Sequence, residues 1–374
     1  MTATGVGTHQ YNSAHTFQVS KAFAQRWGGL MRVAFLANSF HLRMTKSSDF
    51  FIRLLNKAFD DVHVIPFSEA WTVIPRSNWD MIIVWMELVT PEELEAFGAP
   101  QVVLVPMSDY CPHDRDYWIK YKQFKVFCLS TTLLCELRSW GINAFGLHYY
   151  PPVGSDLQVD DQPGLRGFFW PRIKQLGWST IKRLIGDTRF ESFHLHWTKE
   201  LNPDLTDLPD TEDRKRFSIQ TSSWFKSQTD YGESVRQANV FFAPRRTEGI
   251  GMSYIEALSW GLCVVSPNAP TMSEYIVHGV NGLLYDPDNP TPLDLSDHRA
   301  LGKAARESCA LGRSEWERAF NDIRSFLEAP CSNYVMPKHP IVRAKRRSYV
   351  ALRALYRAGK SCTRSIMHFL RRES

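Results

Sequence analysis

The sequence predicts an α/β protein built from two doubly wound parallel sheets. Three observations carry that expectation. Short continuous apolar runs of strand length recur along the chain and alternate with helical patterns, as parallel strands buried on both faces do. The alternation is interrupted once, at Pro151-Pro152-Val153-Gly154-Ser155 and the polar, acidic stretch up to Gly164, and then begins again. The length of 374 residues favours two domains over one, and 44% hydrophobic with 13% aromatic content can fill two cores. The expected organisation is a mobile N-terminal extension over 1–30, a first domain over 31–150, a linker over 151–164, a second domain over 165–330 and a basic tail over 331–374.

In the first domain Arg32–Ala37 (RVAFLA) is the opening strand. Ser48–Lys57 follows as a helix with Phe51, Leu54, Leu55 and then Ala58 on one face. Further strands are expected at Val62–Pro66, Asp80–Met86, Gln101–Pro106, Val126–Ser130 and Ala144–Tyr149. Helices are expected at Pro91–Phe97 and Thr132–Trp140, the second ended by Gly141. The second domain opens with a strand at Leu165–Trp170, a helix at Trp178–Ile185 and a strand at Ser192–Trp197. Asp204–Lys215 reads as a charged loop, Tyr231–Ala238 as helix and Asn239–Ala243 as strand. A helix stopped by Gly261, a strand at Cys263–Ser266, a short helix around Ser273–Val277 and a strand at Leu283–Tyr285 come next. Helices over Ala300–Cys309 and Ser314–Leu327 complete the domain.

Composition excludes several function classes. The seven cysteines are scattered, with no CxxC pair and no Cys/His zinc spacing, which fits a reducing compartment. The longest apolar run, near Met81–Val89, is strand-sized, well short of the ~18 residues of a membrane span. The first 30 residues lack a charged start followed by an apolar core, so a cytoplasmic location is expected. The net charge of +5 is uneven, since residues 338–374 hold eleven Lys/Arg against one acid, Glu373. In that tail Tyr349, Leu352 and Tyr356 recur at i, i+3 and i+7 beside Arg346, Arg353 and Arg357, and Ile366, Met367, Phe369 and Leu370 precede Arg371-Arg372. Such a segment suits the surface of an anionic membrane, here the inner face; binding to nucleic acid and packing on the first domain as a solvated helix are the competing readings. No nucleic acid is expected as a partner.

The most informative stretch is Glu248-Gly249-Ile250-Gly251-Met252-Ser253-Tyr254-Ile255-Glu256. It places one carboxylate in a strand-to-helix loop and a second about a turn into the helix. The helix N-terminus between them offers free N–H groups and partial positive charge, a ready phosphate site. Two acids around such a site suit a ligand with hydroxyls on both sides of a phosphate, as a nucleotide sugar has. The bland alternative is a helix cap at Glu248 and a surface ion pair at Glu256.

The wider segment Phe242–Asp286, FAPRRTEGIGMSYIEALSWGLCVVSPNAPTMSEYIVHGVNGLLYD, closely resembles the donor-binding segment of family 4 glycosyltransferases. The resemblance implies the GT-B fold, two Rossmann-like doubly wound domains facing across a cleft, and retaining transfer from a nucleotide-sugar donor to a glycan or lipid-linked acceptor. It implies that Glu256 accepts from ribose hydroxyls, that Glu248 contacts the transferred sugar, and that the amides of Ile250, Gly251, Met252 and Ser253 meet a diphosphate. Gly249 and Gly251 would let the backbone approach the ligand. Arg172, after the first strand of the second domain, stands where the family places an arginine against the leaving diphosphate, with Lys174 behind it. The family's following Lys-Gly is missing, and Lys182 lies deep in the next helix.

Glu274 sits where the family has an acid before a short helix, and Thr271 with Glu274 also has the spacing of a capping box. On the acceptor side the loop after the first strand lacks the family's glycine pair and offers His41, Arg43 and Lys46; the loop after the fourth strand offers Asp109 and His113. His113 and His148 also read as structural histidines. The triplets Asp114-Arg115-Asp116 and Asp286-Pro287-Asp288 read as loop acids, and neither an essential metal nor a cofactor is expected. A nucleotide-sugar epimerase on the same fold and a non-catalytic binding module with a membrane-binding tail are the alternative readings.

Overall fold

The structure is a computed structural model that describes residues 31–154, 163–197, 206–225, 227–243 and 245–331. The expected extension over 1–30, the middle of the expected linker and the basic tail from residue 332 on lie outside these residues. Two six-stranded parallel sheets organise the chain. Residues 31–103 together with 324–331 form one compact unit, and the described residues of 104–323 form the other. The cut falls inside the fourth strand.

The first sheet contains β1 (Arg32–Ala37), β2 (Asp61–Pro66), β3 (Met81–Trp85), β4 (Gln101–Val105), β5 (Lys125–Cys128) and β6 (Asn143–Gly146), in the order β2-β1-β3-β4-β5-β6. Val33–Ala37 and Met81–Trp85 are buried along their whole length, which is why both read as unbroken apolar runs. The first unit packs α1 (Asp49–Ala58) through Phe50, Phe51, Leu54, Leu55 and Ala58. The Phe51 and Trp85 rings lie 5.4 Å apart there, and Phe35 is 5.9 Å from Trp85. The short α2 (Ala70–Val73) and α3 (Pro91–Phe97) follow. Thr90 and Glu93 close a capping box on α3, and Gly98 ends it in the left-handed region.

In the second unit α4 (Arg115–Trp118) and α5 (Thr131–Ser139) flank β5 in sequence, and a second sheet is built from β7 (Arg166–Phe169), β8 (Ser192–His196), β9 (Ile219–Ser222), β10 (Val240–Phe242), β11 (Cys263–Pro267) and β12 (Leu283–Tyr285). Its order is β12-β11-β10-β7-β8-β9. The helices are α6 (Trp178–Ile185), α7 (Thr211–Arg216), α8 (Gln228–Arg236), α9 (Met252–Trp260), α10 (Met272–Tyr275), α11 (His298–Arg318) and α12 (Phe320–Glu328), the last shared between the units. One face of this sheet joins Phe193, Leu195, Phe242 and Val265 to Trp178 and Ile181 of α6 in a single core. The strand order reverses between β7 and β10. In an open parallel sheet a ligand crevice forms at such a reversal, outside the C-terminal strand ends. The chain leaves β7 through Trp170-Pro171-Arg172 and leaves β10 toward Glu248.

Three local expectations are corrected. The charged stretch over Asp204–Lys215 is not all loop, because Thr211–Arg216 is helical. Asp210 caps it by accepting from Asp213 N at 2.8 Å, acids fill the first turn and Arg214, Lys215 and Arg216 the last, as the helix dipole favours. β9 was missed because its polar sequence IQTS sits at the sheet edge, with Gln220 and Thr221 exposed. The break expected between Cys309 and Ser314 does not occur. Gly312 stays inside α11, where a Cβ would run into the Tyr150 ring, so that glycine serves close packing.

Candidate functional site

Glu248, Arg245, Arg172 and Asp109 come together at the C-terminal ends of β7 and β10, all within the second unit. Arg172 follows β7 by three residues, and its guanidinium lies 4.7 Å from the centroid of the Trp170 ring, a cation–π contact. Its charge faces Glu248, Arg245, Tyr231 and Asp109. Glu248 is 8% exposed. Burial pushes its carboxyl up to about 7; the cations of Arg245 and Arg172 work against that, and the charge of Asp109 adds to it. Arg245 Nη1 donates to Asp109 Oδ2 at 2.9 Å and stands 3.9 Å from Glu248 Oε2. Burial likewise raises the Asp109 carboxyl, against Arg245.

The glycines around Glu248 also have packing tasks within the fold. A Cβ on Gly249 would lie 2.5 Å from Met107 Cβ and 2.7 Å from Asp109 Oδ1, so its bareness admits the loop after β4. Gly251 is the N-cap of α9 with φ +61°, and a Cβ there would strike the Tyr254 ring. Tyr254 N and Ile255 N bond back to Gly251 O at 3.1 and 3.2 Å. The amides of Met252 and Ser253 precede them and have no partner within the helix. Ile250 is buried and Met252 and Ser253 are half-buried. Glu256 is half-buried one turn into α9, and its charge faces Tyr231 of α8.

Tyr231 lies in α8 with its hydroxyl shut off from solvent and unbonded among the described residues, as is the Trp170 Nε1. Around them lie Phe168, His196 and Phe225, the Trp170 and His196 rings 4.6 Å apart. His194 and His196 share Ser222 Oγ at 2.7 and 2.8 Å. The alternation His194-x-His196 on a strand was the available signal, since it puts both rings on one sheet face. Arg245 also stood in the motif, three residues before Glu248.

The other candidates are placed elsewhere. Lys174 is exposed in the turn closed by the Ile173–Leu176 bridge, and Lys182 is bound to Asp213 at 2.9 Å. His41 sits in a π-helical turn, His41–Thr45, held by Thr45 Oγ1 and Ser47 Oγ at 3.1 and 3.3 Å. His113 braces the loop that carries Asp109, with Nε2 at 2.7 Å from Ser108 O and Nδ1 at 2.6 Å from Glu136. Asp114 caps α4, and Asp286 accepts from Asp288 N at 2.9 Å in a turn. Among the described residues no three of His, Cys, Asp and Glu group as a metal site, and no helix is long and apolar enough to cross a membrane. A cavity of about 310 Å³ beside Arg166, Ser192 and Gln237 opens at the N-terminal ends of β7 and β8, the opposite strand ends from Glu248.

Glu274 does not close a capping box with Thr271, whose hydroxyl makes no cap bond and whose φ is +73°. It reaches instead to the N-terminus of α5. It accepts from Thr131 N at 2.8 Å, Thr132 N at 3.0 Å, Thr132 Oγ1 at 2.7 Å, Ser130 Oγ at 2.9 Å and His148 Nε2 at 2.8 Å. Burial alone would raise this carboxyl, but the donors, His148 and Thr132 foremost, hold it well below the usual carboxylate range. A carboxyl depressed in the fold stabilises above its unfolded value and loses that effect as pH falls. Glu274→Ala is expected to cost on the order of 3 kcal/mol in urea unfolding at pH 7, and less as the buffer is acidified.

The segment 220–296, which holds both Glu248 and Glu256, matches the family model described as Glycosyl transferases group 1. An uncharacterized glycosyltransferase of Methanocaldococcus jannaschii is 26% identical over 110 residues, 28% of this chain and 31% of that protein, so the match spans under a third of that relative. Among solved structures, sucrose-phosphate synthase from Thermosynechococcus elongatus has a TM-score of 0.55 at 13% identity, over 78% of this chain and 99% of that one. HepE from Anabaena, solved with UDP and glucose, has a TM-score of 0.52 at 12% identity, over 78% of this chain and 100% of that one. A glycosyltransferase from Rickettsia africae has a TM-score of 0.54 at 12% identity, over 80% and 99%. The two six-stranded parallel sheets with their helices are the GT-B fold.

Proposed function

We propose that the chain is a retaining glycosyltransferase that moves a sugar from a nucleotide-sugar donor to a glycan or lipid-linked acceptor, in cell-surface polysaccharide or glycolipid synthesis. The observation that carries this is the meeting, at the β7/β10 reversal, of Arg172, the buried Glu248 and a helix start whose Met252 and Ser253 amides have no partner within the helix. The amides and Arg172 suit the diphosphate, Glu248 the sugar hydroxyls, and Glu256 the ribose.

In the reaction the bond from the anomeric carbon to the donor phosphate oxygen breaks, and the acceptor hydroxyl oxygen bonds to that carbon on the same face. The hydroxyl proton passes to the departing phosphate. Arg172 and the amides stabilise the charge that develops there, without reorganising as it forms. No covalent nucleophile and no metal take part in this scheme. The enzyme works in the cytoplasm, with the basic tail resting on the inner membrane face.

A thermal-shift screen against nucleotide sugars, UDP-glucose among them, tests the donor assignment. A ligand at a hundred times its Kd stabilises by about 2.7 kcal/mol, so a true donor raises Tm by several degrees. A panel without a single shift would remove the donor reading. Turnover of a hit without any acceptor would replace transfer with epimerisation.

A further inference from the structure

Arg245 lies between two carboxylates and serves them unequally. Its Nη1 donates to Asp109 Oδ2 at 2.9 Å and stands 3.9 Å from Glu248 Oε2. Both acids are nearly closed to solvent, with side chains 11% and 10% exposed. A buried carboxylate beside a free guanidinium collapses onto it, because the charge-assisted bond far outweighs a contact at 3.9 Å. Here Asp109 takes that bond. It arrives on the loop after β4, through the space that Gly249 leaves by having no side chain. Two further atoms of the pair, Asp109 Oδ1 and Arg245 Nε, are buried and unbonded among the described residues. Among the described residues the guanidinium is hydrogen-bonded through Nη1 alone, to Asp109, so loss of that bond leaves it able to turn to Glu248.

We propose that Asp109 is a positioning residue for Glu248: it draws the Arg245 head to itself and so keeps the Glu248 carboxylate free to accept from the hydroxyls of a donor sugar. This rests on the sugar-facing role proposed for Glu248. The charged and titratable groups facing Glu248 are Arg245 on its own loop, Arg172 after β7, Asp109 after β4 and Tyr254 on α9. Of these, Asp109 holds another of the set, Arg245, by a direct hydrogen bond. Asp109 is then bound up in the donor site, rather than in the acceptor contact that its loop position suggested.

Neutralising Asp109 removes a like charge from Glu248 and releases Arg245 toward it, and both changes favour the ionised form. The test is the Glu248 ionisation midpoint in the unliganded protein, read from the side-chain carboxyl ¹³C resonance and assigned by its absence in Glu248→Gln. Asp109→Asn is expected to lower the midpoint by about one pH unit or more, and Arg245→Met to raise it. Binding of UDP and of UDP-glucose is measured alongside. Asp109→Asn should weaken UDP-glucose about tenfold and leave UDP unchanged, because only the sugar needs a free Glu248. A midpoint that stays or rises in Asp109→Asn overturns the proposal, as does equal weakening of both ligands. If Asp109→Asn does not fold, an unmoved midpoint in Arg245→Met overturns it. A wild-type protein that binds no UDP-glucose counts against that donor alone, and the midpoints still decide the role of Asp109.

Discussion

Glu248→Gln is expected to lower kcat by about a hundredfold or more with whichever donor the screen selects, while the protein still melts in one cooperative transition. The amide keeps the shape of the carboxyl and loses its charge, so a strong hydroxyl acceptor goes while the space the side chain fills is unchanged. The same variant has a stability signature. Burial raises the Glu248 carboxyl to about 7 in the fold, above its ordinary value of 4.5. Between those values the native state holds a proton that the unfolded chain has released, so this group's contribution to stability falls as pH rises through that window and is constant above it. Glu248→Gln lacks the penalty. Its Tm relative to wild type should climb from pH 4.5 to 7 and then level off, by roughly 2–4 °C per kcal/mol for a unit of this size. Loss of activity with a rising relative Tm separates a chemical role from a structural one, since a structural carboxylate would destabilise on removal.

Arg172→Gln is expected to lower kcat about a hundredfold to a thousandfold, with a much smaller change in the KM for the donor. The guanidinium is pinned over the Trp170 ring and faces Glu248, Arg245 and Asp109, which fixes a cation where the leaving phosphate is proposed to gain charge. Arg172→Lys should recover only part of the loss, because an ammonium neither lies flat on the indole nor meets two phosphate oxygens at once. A variant whose KM rises while kcat holds would assign Arg172 to ground-state binding alone.

The fold was legible where a strand is buried on both faces. Met81–Trp85 and Cys263–Pro267 are wholly buried, and such runs carry their own signal. The edge strand Ile219–Ser222 is polar and short, so its pairing with β8 supplies what its sequence does not. α11 was divided at a glycine that a neighbouring tyrosine requires, a tertiary cause invisible in helix propensity. At the site, the spacing of Glu248, Gly251 and Glu256 on a loop and helix start could be read, because the elements are local. Asp109 with Arg245, and Glu274 with Ser130, Thr131 and Thr132, could not. Those partners stand 136 and about 140 residues apart, and only folding brings them together. Gly249 shows the same limit in one residue: the sequence marks a place where no side chain fits, and the structure shows the loop after β4 filling it.

A nucleotide sugar is proposed to bind at the reversal between β7 and β10, with Glu248 on the transferred sugar and Glu256 on the ribose. A crystal structure of the protein with the donor that the thermal screen selects tests this most directly. The diphosphate is expected against Arg172 and the amides of Met252 and Ser253, the transferred sugar on Glu248 and the ribose on Glu256. A nucleotide seated instead in the cavity beside Arg166 and Gln237, or a donor whose sugar turns away from Glu248, would contradict it.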